Sequence, residues 1–122
     1  MKIFTGVVTG GERPAIDVSP DLQVRAKGGL VVQIQVRSES DGSRPSILPE
    51  ADGVEVRFKI GGTAPANYNE PPEVYFSGKA RFKKLLEAGA EGLTIYVFAR
   101  WKNNADDDKS GPWCPMETAV IR

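Results

Sequence analysis

The chain has 122 residues, 40% hydrophobic and 26% charged, and its sixteen basic and sixteen acidic side chains cancel. That length supports one domain with a core that needs no staples, and the balanced charge leaves no long-range field to mark a nucleic acid or an anionic membrane as partner. Histidine is absent and Cys114 is the single cysteine, which removes the base of a Ser-His-Asp or Cys-His relay, the commonest nitrogen ligand of zinc and any internal disulfide.

The first stretch, "MKIFTGVVTGGERP", carries one early Lys and scattered apolar residues broken by Gly. It does not read as a secretion signal, and no apolar run reaches the length of a membrane span. The compartment is left open, the extracellular space and a virion surface included. Ile3, Phe4, Val7 and Val8 give this stretch strand propensity, so residues 1–19 read as an arm that docks. It adds a strand either to its own sheet or to the edge of a neighbouring copy.

Strand signals dominate the rest. "DLQVRAK" places Leu22, Val24 and Ala26 on one face, and "GLVVQIQVR" places Leu30, Val32, Ile34 and Val36 inward. "GVEVRFKI" repeats the pattern with Val54, Val56, Phe58 and Ile60. Alternation of period two predicts strands with one buried and one wet face. Gly28-Gly29, Asp41-Gly42, Asp52-Gly53 and Gly61-Gly62 supply the turns. "TAPANYNEPPEVYFS" is expected to cross from one sheet to the other, with a short edge strand near Val74 to Phe76. "KARFKKLLEAGAEG" reads as a strand plus a turn. "LTIYVFARW" predicts a central strand, with Leu93, Ile95, Val97, Ala99 and Trp101 on one side and Tyr96 and Phe98 on the other. "GPWCPMETAVI" predicts the closing strand, its Pro112 and Pro115 near the start or on an edge. Short strands at this spacing, without a convincing helix, indicate a two-sheet antiparallel β-sandwich spanning residues 20–122.

Between the tryptophans lies "KNNADDDKSGP". Calcium loops space their ligands so that alternate side chains converge. Asp106, Asp107 and Asp108 are adjacent and followed by Lys109, so a solvated hairpin tip is expected and no metal. The turn should bring Trp101 and Trp113 together at one end of the core. As the alternative, Tyr68, Trp101 and Trp113 would serve as stacking platforms for a sugar ring.

"YVFARWKNNADDDKSGPW" resembles the last hairpin of a fibronectin type III-like domain, in particular the C-terminal domain of a group of uncharacterised bacterial proteins that end in "RWxN", a polar turn and "GPWS". "GVEVRFKI", "GGTAPANYNEPPE" and "PDLQVRAKGGLVVQIQV" extend the resemblance over about residues 20 to 121. It departs where the usual serine is Cys114 and where a long helical region is replaced by about twenty residues. The resemblance implies a fibronectin type III/immunoglobulin-like sandwich of the kind used for spacing, adhesion and assembly, with no catalytic residue defined.

The remaining motifs point to ordinary surface. "KARFKK" sets Lys79, Arg81, Lys83 and Lys84 around Phe82, and such a run is more often a solvated strand face than a phosphate contact. No phosphate loop is present. Glu50, Asp52, Glu70 and Glu73 cluster in loops where two could sit at a glycosidase distance, but nothing in their spacing favours that over ordinary polar loops. The expected function is a non-enzymatic structural or adhesive module of a bacterial or viral assembly, without cofactor. Its partner would be protein, in a homo-oligomeric or filamentous arrangement. Ile3, Phe4, Val7 and Val8 would anchor the arm, and Tyr96 and Phe98 would form an outer patch. A carbohydrate-binding module is the alternative.

Overall fold

The computed structural model describes residues 15–38 and 45–122. Among them run β1 (Asp21–Gly28), β2 (Val31–Arg37), β3 (Gly53–Ile60), β4 (Glu73–Ser77), β5 (Arg81–Leu85), β6 (Thr94–Lys102) and β7 (Glu117–Val120). They pair antiparallel in two sheets, β1-β2-β5 and β4-β3-β6-β7. The fold is therefore a two-sheet antiparallel β-sandwich. Its fourth strand stands beside the third, not in the first sheet as in constant-type immunoglobulin domains.

Period-two alternation places the core where it was expected. Val32, Ile34 and Val36 of β2 are buried, as are Val54, Val56 and Phe58 of β3 and Ile95, Val97, Ala99 and Trp101 of β6. Along β3 and β6 the register sets Val54 against Trp101, Val56 against Ala99 and Phe58 against Val97. Each such aliphatic or aromatic side chain contributes about 1.5–3 kcal/mol when fully enclosed, so this face decides the register. Ile16, two residues into the described chain, joins the core, and its N–H donates to the Lys109 carbonyl at 2.9 Å.

Four local expectations are corrected. Leu30 is not the first residue of a strand: with Gly28 and Gly29 it forms a left-handed turn, φ +68° at Leu30, held by its N–H to the Arg122 carbonyl. Leu93 precedes β6 and is exposed, its side chain lying beside Gly61. The Pro-rich segment does not cross between sheets, because β4 returns to pair with β3. The crossing comes at Ser77–Ala80, where the Ser77 hydroxyl accepts from the Lys79 N–H and donates to the Lys79 carbonyl. Finally, the regular closing strand begins only at Glu117. Before it, the chain follows β6 through single bonds from Gly111 N–H to the Trp101 carbonyl and from Cys114 N–H to the Ala99 carbonyl. Pro112 and Pro115 have no N–H to extend that ladder.

Trp101 is 0% exposed, whereas Trp113 is only half-buried. Trp101→Ala is expected to cost about 3–5 kcal/mol, and Trp113→Ala a smaller amount. Urea unfolding followed by circular dichroism measures both, and equal losses would contradict the placement.

Candidate interaction surface

β4 is an edge strand, hydrogen-bonded to β3 alone among the described residues. Its Val74, Tyr75 and Phe76 are 52%, 38% and 41% exposed. Val74 and Phe76 stand opposite Arg57 and Glu55 on β3. The Phe76 ring lies over Gly53, where a Cβ would come within 2.7 Å of it and 2.3 Å of the Ser77 carbonyl. Glycine is required there so that β4 can lie close. Tyr75 meets Phe82 of β5 at 5.3 Å between ring centroids, and the Lys84 ammonium sits 4.3 Å from the Tyr75 ring. The edges of the two sheets thus meet on this side, beside a cavity of about 430 Å³ with Phe58, Leu86 and Ala90 among its lining and Glu73 and Lys84 beside them.

The outer face of the four-stranded sheet carries a second cluster. Arg100 donates to Glu55 at 2.7 Å across the β3–β6 pair. Trp113 stacks on Tyr68, centroids 5.1 Å apart and planes at 16°. The guanidinium carbons of Arg100 and Arg57 lie 5.0 and 5.9 Å from the Trp113 ring. Cation–aromatic contacts of this kind orient side chains on a wet sheet face.

This geometry sorts the predicted site residues. Ile3, Phe4, Val7 and Val8 lie outside the described residues, as does the Asp41-Gly42 turn. Phe98 is 8% exposed, too enclosed to form a patch with Tyr96, whose hydroxyl donates to the Gly62 carbonyl. Trp101 is not a platform, because the two sheets enclose it. It does not meet Trp113 at the end of the core: Trp101 faces inward on β6, and Trp113 sits with the outward-facing Arg100. Trp113 is engaged by three side chains, which leaves Tyr68, 38% exposed, as the accessible ring of the three.

The aspartate loop is tied to the protein itself. Asp107 accepts from Arg100 at 2.9 Å and pairs with Lys102. Asp106 accepts from the Asp108 N–H, capping the single turn Asp107–Lys109. The side-chain Oδ1 of the buried Asn103 accepts from the backbone N–H groups of Ala105 and Asp106. Among the described residues no three acidic, Cys or His groups are placed to hold a metal ion. Asp52 and Glu70 likewise accept from backbone, the Asn104 and Ala66 N–H groups. Cys114 is buried, and desolvation pushes its thiol up to about 11, so it stays protonated at neutral pH.

The run "KARFKK" is split by the pleat. Phe82 and Lys84 turn towards the other sheet's Tyr75, and Arg81 and Lys83 are exposed. Phe82 is therefore not available to stack a base. Sequence reasoning passed over Glu55, Arg57 and Arg100 as a cluster. Their alternation on β3 and β6 was visible, but their alignment needs the register. Compared with models of known protein families and with curated proteins, the chain matches none.

The Lys102 hydrogen bond and the charge of Arg100 lower the Asp107 pKa below its ordinary 3.8. A group depressed on folding contributes stability that is complete above its unfolded pKa and is lost as pH falls through the folded one. A carboxyl carbon NMR titration should therefore place the Asp107 midpoint below 3.8. A midpoint at or above that value would show that the loop is not held by Arg100 and Lys102.

Proposed function

We propose that this chain is a non-enzymatic structural or adhesive module that assembles by strand addition at β4, with its own N-terminal arm as the donor. The observation that carries the reading is the β4 edge, with a backbone side open among the described residues and Val74, Tyr75 and Phe76 exposed along it. Sheet edges of this kind template pairing with another chain unless charge, proline or a bulge blunts them. β4 carries one charged residue, Glu73, at its first position. Main-chain bonds would supply affinity, and the alternate side chains of the arm would supply the match. Arm-to-edge pairing is heterologous, so copies joined this way form a ring or a fibre.

The carbohydrate reading through stacked aromatics has less to support it, since it keeps one accessible ring, Tyr68, of its three. The assembly reading predicts a mass above the monomer for the full chain in multi-angle light scattering. Deleting residues 1–11, or introducing Val74→Glu opposite Arg57, should return it to monomer with the fold intact. A full chain that is monomeric, or one that stays assembled without residues 1–11, excludes assembly through the arm.

A further inference from the structure

The outer face of the three-stranded sheet has a chemistry of its own. The register lays Arg25 opposite Gln33 and Gln33 opposite Lys83, and in the next row Gln23 opposite Gln35 and Gln35 opposite Arg81. Neighbouring strands lie about 4.8 Å apart, and same-face residues about 6.7 Å apart along a strand. The cations of β1 and β5 therefore form two rows about 10 Å apart with a strip of amides between them. Lys27, in the bulge that ends β1, extends one row. The only carboxylate of these strands is Asp21, which is paired with Arg37. No carboxylate lies within ion-pairing distance of Arg25, Lys27, Arg81 or Lys83 among the described residues.

The amides are held in fixed directions. Gln35 accepts from Arg81 at 3.3 Å and from Gln33 at 3.3 Å, and donates to Gln23 at 2.6 Å. That network consumes the Gln35 oxygen and leaves the Gln23 nitrogen and the Gln33 oxygen for a ligand. No aromatic side chain stands on this face of the three strands, since Phe82 turns inward.

From this arrangement we infer a binding face for an acidic polysaccharide, a chain carrying anionic groups and hydroxyls together. Two cationic rows suit a linear polyanion lying along β2. Side-chain amides, which both donate and accept, suit hydroxyl groups, and a DNA backbone offers none. Single-stranded nucleic acid is disfavoured because its binding draws on aromatic stacking. Lysine on the β5 edge also deters strand pairing, but that does not account for Arg25 or for the ordered glutamines of β1 and β2. The inference stands apart from assembly through β4, which lies in the other sheet.

The test uses the full chain in titration calorimetry with heparin, neutral dextran and a duplex DNA of matched charge, at several salt concentrations. Heparin should bind most tightly, with affinity falling as salt rises. The exposed-site double variant Arg25→Gln, Lys83→Gln should lose about tenfold and show a shallower salt dependence. Gln23→Ala with Gln33→Ala should narrow the preference for heparin over DNA, while circular dichroism confirms the fold. No binding at low salt, dextran or DNA equal to heparin, or heparin affinity unmoved by the charge variants would each overturn the assignment.

Discussion

The structure depends on the contact between the inner faces of its two sheets. β2 presents Val32, Ile34 and Val36, and β3 and β6 present Val54, Val56, Phe58, Ile95, Val97, Ala99 and Trp101, all of them buried. Because the side-chain period of a strand is two, a slip of one residue would turn any of these faces to water. The charges Glu55, Arg57, Lys59 and Arg100 would then enter the core, which forbids the slip. Everything on the surface follows from that register.

The two lateral sides of the sandwich are unlike. On the β1–β7 side, Ile16 and Ile121 are buried, and Leu30 bonds to Arg122. That side is sealed by chain outside the strands. On the other side β4 and β5 end their sheets, bridged by Tyr75, Phe82 and Lys84, with Val74, Phe76 and Leu85 exposed. The functional reading follows this asymmetry. Under the proposed assembly, the large apolar side chains along the open β4 edge are the surface for pairing, and the cationic face of the other sheet is the one inferred to take a charged ligand.

Strands β1, β2, β3 and β6 were legible in the sequence because alternation is a local property, and the short edge strand near Val74 to Phe76 was legible within the Pro-rich segment, just after Pro71 and Pro72. Alternation does not say which strands share a sheet, so the Pro-rich segment was assigned a crossing that belongs to Ser77–Ala80. Nor does it say which face a residue outside a ladder takes. Trp113 follows a proline and precedes the regular part of β7, and its position is decided by Tyr68, Arg57 and Arg100. The cations Arg25, Arg81 and Lys83 were each visible as outward residues. Their alignment across three strands, with Gln33 and Gln35 between them, is a property of register and could not be read from any one segment.

Amide hydrogen exchange on the dilute full chain tests this sheet-on-sheet account most directly. Exchange should be slowest at Val54–Phe58 and Ile95–Val97, where both neighbours in the sheet are present, and fast at alternate amides of Val74–Phe76. Uniform protection across β3, β4 and β6, or slow exchange centred outside these strands, would contradict it.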